Sequence, residues 1–239
     1  DIAMYKKLFT DPRFQPDQIK FYPTVVVKGS KLYEDWLKGL YKPYSDSELI
    51  RVIKECKAAT PPYVRIVRLI RDIPKESIEA GNKITNLRQI IQKQGVQCQC
   101  IRCREVKDKA VDWSNLQLII RQYIAGDGEE YFLSWESPDQ STIFGFCRLR
   151  LPTKPASNPY LSDCALIREL HVYGLLQPLG SQGQIQHRGL GEKLLIHAEK
   201  IAKEHHYSKI AIISGVGVRN YYRKFGYYLN HTYLVKAVI

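Results

Sequence analysis

Gln186-His187-Arg188-Gly189-Leu190-Gly191 (QHRGLG) opens an amphipathic segment and follows a strand-like run, Ile167-Arg168-Glu169-Leu170-His171-Val172-Tyr173. Glycines three and five residues after the glutamine let a backbone loop come close to a phosphate. The first amides of the following helix, and its dipole, favour an anion at that end. Leu190, Leu194, Leu195, Ala198, Ile201 and Ala202 recur at helical spacing, with Glu192, Lys193, Glu199, Lys200 and Lys203 outward. Lys209 to Ser214 is rich in branched residues and reads as a strand. The local order of strand, glycine loop, helix and strand makes this part of the chain α/β. For the glycines alone, a tightly packed helix start is the simpler reading.

The flanks carry more. The six residues fit the Q/R-x-x-G-x-G/A loop with which GNAT acetyltransferases grip the pyrophosphate of acetyl-CoA. RELHVYG (168–174), ISGVGVRNYYRKFGY (213–227) and LVKAVI (234–239) extend the match, as do Lys20-Phe21-Tyr22-Pro23-Thr24, Arg71-Asp72-Ile73-Pro74, Asn86-Leu87-Arg88-Gln89 and Arg104-Glu105-Val106. Together they resemble one branch of that superfamily, the catalytic subunits of Elongator, of bacterial or archaeal type: tRNA-modifying enzymes that join a radical SAM barrel to a GNAT domain. The resemblance covers nearly the whole chain. It implies an α/β GNAT domain at 106–239, a mixed sheet with flanking helices. It also implies a zinc-containing linker with the cysteine cluster at 51–105 and the tail of a radical SAM barrel at 1–50.

The resemblance also assigns a site. Acetyl-CoA would contact Glu169, Leu170, His171 and Val172 on the splayed strand. Ile185, Gln186, His187, Arg188, Gly189 and Gly191 would join from the loop. Transfer from a thioester needs the carbonyl polarised, the attacking group deprotonated and the leaving thiolate stabilised. Strand alternation puts Ile167, Glu169, His171 and Tyr173 on one face and Leu166, Arg168, Leu170 and Val172 on the other. Glu169 is the candidate base, directly or through water, and His171 the second. Against this, Glu169 paired with Arg168 or Arg188, and His171 as a hydrogen-bonded core histidine, are structural alternatives. A tyrosine after Ser214-Gly215-Val216-Gly217 reaches the CoA sulfur in the superfamily; Tyr222 is the better match and Tyr221 the alternative, with packing as the plain reading of either.

A chain of 239 residues, 44% hydrophobic and 25% charged, has the composition of a globular protein with ample core. No apolar run is long enough to cross a bilayer, and no basic-then-apolar leader opens the chain. The net charge of +12 points to a polyanionic partner, with nucleic acid the leading candidate and tRNA the one that the resemblance implies. Sixteen tyrosines offer stacking surfaces to RNA, although most tyrosines simply pack. Elongator-like subunits or self-association are further partners to expect.

Three of the six cysteines, Cys98, Cys100 and Cys103, lie within six residues. That clustering fits a metal site in a reducing, cytoplasmic setting better than a disulfide framework. Thiolates suit zinc, and the C-x-C-x-x-C spacing puts three on one short loop. Cys56 or a histidine is open as fourth ligand, and three packed free thiols are the alternative. No cysteine precedes Cys56. The iron–sulfur cluster and S-adenosylmethionine of the radical SAM reaction are therefore expected only with a region upstream, and the chain is expected to be a fragment.

Elsewhere the spacing predicts helices at 1–9, 32–40 with Trp36 inward, 45–59 capped by Ser45 with Glu48, and 86–93 capped by Thr85. Strands are predicted at 19–27, 63–70, 131–134 and 143–149. Arg65, Arg68 and Arg71 read equally as a solvated face or a phosphate-contacting strip. Three functions follow: acetyl-CoA-dependent tRNA wobble-uridine carboxymethylation, in which this chain alone binds acetyl-CoA without completing the modification; protein lysine acetylation; or non-catalytic RNA binding on a GNAT shape.

Overall fold

A computed structural model describes residues 1–106, 115–154, 158–173 and 189–238. The chain forms two compact units, Asp1–Cys103 and Arg104–Ile239.

The first unit contains α1 (Ile2–Thr10), β1 (Gln18–Lys20), α2 (Lys31–Leu37), α3 (Asp46–Ala58), β2 (Arg65–Arg68) and α4 (Leu87–Lys93); α5 (Ile101–Arg104) runs across the boundary. β1 and β2 pair in parallel, Ile19 opposite Ile66. Leu49, Ile53, Ile66, Leu69, Leu87, Ile91 and Cys100 form its core. Tyr5, Val52 and Cys56 form a second cluster where α1 meets α3.

The capping box of α3 is present: Ser45 Oγ accepts from the Glu48 amide, and Glu48 Oε2 accepts from the Ser45 amide at 2.8 Å. Other expectations shift. The strand expected at 19–27 shortens to β1 and a single bridge at Val26, because Pro23 has no amide to donate. Trp36 is half-buried rather than inward, and Asn86 rather than Thr85 stands at the start of α4.

The second unit is built on a seven-stranded mixed sheet in the order β3-β4-β5-β6-β7-β9-β8. Its strands are β3 (Gln117–Ala125), β4 (Gly128–Glu136), β5 (Ile143–Pro152), β6 (Cys164–Val172), β7 (Lys209–Ile213), β8 (Tyr228–Asn230) and β9 (Tyr233–Ala237). α6 (Leu190–Glu204) packs on β4, β5 and β6, and α7 (Arg219–Arg223) follows β7. The expected hairpin is present as β4 and β5; β3 was not anticipated. Leu194, Leu195, Ala198, Ile201 and Ala202 of α6 bury against Leu133, Cys147, Leu149, Ala165 and Ile167.

All neighbouring strands are antiparallel except β6 and β7, which pair in parallel from Cys164↔Lys209 to Ile167↔Ile212. β6 continues to Val172, beyond the last residue that β7 meets. The register against β5 also slips at this point, Leu149 facing Ile167 and Arg148 facing Glu169. Arg168 is thus the extra residue of a β-bulge, which exchanges the faces of everything after it.

Candidate active site

The bulge corrects the expected alternation. Ile167 lies in the core beneath α6, and Leu170 packs against the same core. Glu169 and His171 face the opposite side of the sheet. There Arg148 Nε donates to Glu169 Oε2 at 2.9 Å, and the His171 ring stacks on Phe146 at 5.9 Å. Arg168 turns to the same side and binds Glu130 at 2.7 Å. Glu169 therefore does have an arginine partner, but it is Arg148, across the strand pair.

Arg148 is 1% exposed, with its guanidinium 5.1 Å from the Phe132 ring centre and 5.4 Å from that of Phe146. The Glu169 side chain is 33% exposed, so its carboxylate is held on one side and open to water on the other. Two further carboxylates share this face. Glu130 is paired with Arg150 and Arg168, and Glu136 with Arg104 and Arg121. Burial alone would raise the pKa of Glu136; the Arg121 bond, the Arg104 charge and the Ser134 hydroxyl outweigh it and hold it below the usual range.

At the other side of the splay, α6 starts at Gly189, whose φ of +67° is a left-handed conformation that glycine adopts freely. Among the described residues no side chain caps this end, and the first helical bond runs from the Lys193 amide to the Gly189 carbonyl at 2.8 Å. The amides of Leu190, Gly191 and Glu192 precede that bond and have no acceptor within the helix. Gly191 is closely covered: a Cβ there would strike the phenol oxygen of Tyr221 and lie 3.6 Å from Val172 Cγ2. Ile185, Gln186, His187 and Arg188 lie outside the described residues.

The two tyrosines of α7 occupy different places. Tyr221, 37% exposed, stands over Gly191 beside the end of β6. Tyr222 is buried in the core with Cys147, the residue opposite Leu170. Burial, with lesser contributions from Cys147 and Tyr221, pushes Tyr222 up to about 12; burial and the Glu192 charge raise Tyr221. Among the described residues neither phenol makes a hydrogen bond. Nearby, in the segment after β7, Ser214 Oγ and Arg219 Nε are buried without a partner. Sequence reasoning missed both.

In the first unit the Sγ atoms of Cys98, Cys100 and Cys103 lie within 4.8 Å of one another. Tetrahedral zinc at Zn–S distances of about 2.3 Å needs sulfurs about 3.8 Å apart, so the cluster is close to that geometry. Cys56, offered as a fourth ligand, packs instead with Tyr5 and Val52. The thiols of Cys100 and Cys98 bond to Cys103 and, with the Lys57 ammonium, push its pKa down, while Cys98 is pushed up by the same sulfur bonds. The expected basic strip is partly neutralised: Arg68 pairs with Asp72 at 2.8 Å, and Arg71 lies over the Tyr22 ring. Among the described residues no helix is long and apolar enough to cross a membrane.

The sheet thus opens between β6 and β7 beside the start of α6, with Tyr221 at the opening and Tyr222 in the core beneath it. Residues 99–227 match the model of the Acetyltransferase (GNAT) family, and the chain belongs to that family. Residues 16–95 match the Radical_SAM C-terminal domain. The chain is 42% identical to Elongator complex protein 3 of Homo sapiens, over 100% of this chain and 46% of that protein. It is 44% identical to the tRNA uridine(34) acetyltransferase of Dehalococcoides mccartyi, over 99% of this chain and 54% of that one. Its structure resembles that of the archaeal Methanocaldococcus infernus Elp3 with N-terminus deletion (1–46): TM-score 0.90, 40% identity, 99% of this chain and 59% of that chain. The chain spans about half the length of the curated relatives it matches.

Proposed function

We propose that this chain supplies the acetyl-CoA-binding and thioester-hydrolysing part of an enzyme that carboxymethylates the wobble uridine of tRNA. The similarity to the Dehalococcoides tRNA uridine(34) acetyltransferase supports the substrate. The observation that carries the acetyl-CoA part is the parting of β6 from β7 after Ile167, beside a helix start whose first amides have no acceptor within the helix.

In this reading the pyrophosphate sits on the amides from Gly189 to Glu192, and the motif assigns Gln186, His187 and Arg188 to the same group. The pantetheine arm lies along Glu169–Val172 as an added strand, and the resemblance assigns Ile185 to the same ligand. Ser214 and Arg219 fit the same ligand: a buried hydroxyl and a buried guanidinium N–H left unbonded cost stability unless an acceptor arrives. Tyr221 borders the outer end of this edge at Val172 and Gly191. Tyr222, beside Cys147 and so level with Leu170, borders the inner end.

Hydrolysis then needs a water at the acyl carbon. Glu169, oriented by Arg148, takes one proton from that water as its oxygen bonds to the carbonyl carbon and the C–S bond breaks; His171 is the second candidate. A phenol raised to about 12 stays protonated at neutral pH, so Tyr222 donates a hydrogen bond to the departing sulfur. Attachment of the acetyl carbon to C5 of uridine is assigned to radical SAM chemistry, with its iron–sulfur cluster and S-adenosylmethionine, and to no residue described here. Cys98, Cys100 and Cys103 would hold a structural zinc, which ties the loop covalently to α5 when bound.

The test is acetyl-CoA hydrolysis by the full chain, with and without tRNA. We expect turnover raised by tRNA and lost in Glu169→Gln. Release of CoA driven by a basic peptide, with an acetylated amine as product, would instead make this a protein acetyltransferase.

A further inference from the structure

Lys57 lies on the inner side of α3. Leu49 and Ile53, eight and four residues before it, are buried in the core of the first unit. Lys57 is buried too, at 1% exposure. A lysine so placed cannot send its ammonium to water, and an unpaired ammonium in such a setting is among the costliest groups a fold can bury. Its one hydrogen bond among the described residues goes from Nζ to Cys103 Sγ, at 3.4 Å. No carboxylate shares it. Thiolate charge is therefore what Lys57 is matched to.

We infer that Lys57 is the counter-charge of the thiolate metal site, holding Cys103 from the second coordination sphere. This rests on the reading of Cys98, Cys100 and Cys103 as ligands of a divalent cation. Three thiolates and one divalent cation carry a net charge of −1, and the ammonium brings the buried assembly to zero. Among the described residues no fourth His, Cys, Asp or Glu joins the three sulfurs, so none of these alters that balance. The N–H···S bond also fixes where the Cys103 sulfur points, the task outer-sphere partners perform at other metal sites. Lys57 thus favours a thiolate complex of divalent zinc or cadmium over the empty cluster, and it is a positioning residue, not a ligand.

The experiment is competition for Zn(II) between the full chain and a chromophoric chelator, on wild type, Lys57→Met and Lys57→Arg. Near-ultraviolet circular dichroism follows the fold. Cobalt(II) charge-transfer absorption counts thiolates independently of affinity. Outer-sphere substitutions cost about 10–100-fold in metal affinity, so we expect Lys57→Met to bind Zn(II) at least tenfold more weakly than wild type, with the three-thiolate cobalt spectrum kept. Lys57→Arg should stay within threefold of wild type. Equal affinities for wild type and Lys57→Met would overturn the inference while leaving the zinc reading intact. If Lys57→Met does not fold, Lys57→Arg decides: retained affinity supports the counter-charge, and a tenfold loss overturns it. A wild-type chain that binds no zinc would remove the metal reading itself.

Discussion

The two units handle buried charge in opposite ways. In the second unit the buried carboxylates Glu130 and Glu136 each meet two arginines of the same unit, and Arg148 meets Glu169. Every one of these charges is balanced by the protein. In the first unit the one hydrogen bond of the Lys57 ammonium among the described residues goes to a sulfur of a cluster with metal-site spacing. Among the described residues, the buried unpaired donors of the second unit are Trp135 Nε1 at the core and, beside the opening between β6 and β7, Ser214 Oγ and Arg219 Nε. There an uncapped helix, two phenols, Ser214 and Arg219 have donors to spare. Charges closed within the protein hold the fold; donors left open mark where a ligand enters.

That contrast can be broken by substitution. Removing one member of a closed set should cost most. Glu136, with no exposed surface, leaves two arginines facing each other when replaced. Glu136→Ala should lose about 3–5 kcal/mol in denaturant unfolding of the second unit. A loss below about 1 kcal/mol, the scale of a surface pair, would mean that the set is not closed.

The next effect is alkaline. Tyr222 is raised in the folded chain to about 12 from an ordinary value of 10. Between these values the unfolded state has lost the proton and the folded state has kept it. Stability is therefore whole below pH 10 and falls as pH rises through about 12, by about 2–3 kcal/mol. Tyr222→Phe should flatten that fall; equal alkaline slopes for both proteins would show that the phenol is not buried as described.

At the opening itself, a Cβ on residue 191 meets the Tyr221 oxygen. Gly191→Ala should weaken CoA by about thirtyfold, roughly 2 kcal/mol, in calorimetry, with little change in thermal stability. Unchanged affinity would remove this turn from the pyrophosphate site. Smallest is Ser214→Ala, which deletes one unbonded donor and should weaken CoA by about 0.5–1.5 kcal/mol. Tighter binding after that change would mean the hydroxyl opposes the ligand.

Much of this was legible in the sequence. The periodicity from Leu190 to Ala202 gave α6 and its buried face, and Ser45 with Glu48 gave the start of α3. The motif residues that resemble GNAT enzymes gave the sheet and the place of the opening. What escaped notice depends on pairing between distant strands. The apolar period does break between Ile167 and Leu170, where Arg168 and Glu169 stand in succession, a local mark of the bulge; the pairing of Glu169 with Arg148 is set by strand register and leaves no local trace. β3 was missed because Ile120 and Ile124 on it are about half exposed, which leaves a weak pattern. Lys57 could have been found: it continues the spacing of Leu49 and Ile53 on the apolar side of α3, where a charge is out of place.

The central claim is that acetyl-CoA lies along β6 with its pyrophosphate on the start of α6. Backbone amide chemical shifts, followed as CoA is titrated into isotope-labelled full chain, test it most directly. The account predicts saturable shifts at Gly189–Glu192 and Arg168–Val172, with Ser214 and Arg219 moving at the same CoA concentration. Shifts confined to Asp1–Cys103, or none at saturating CoA, would contradict it.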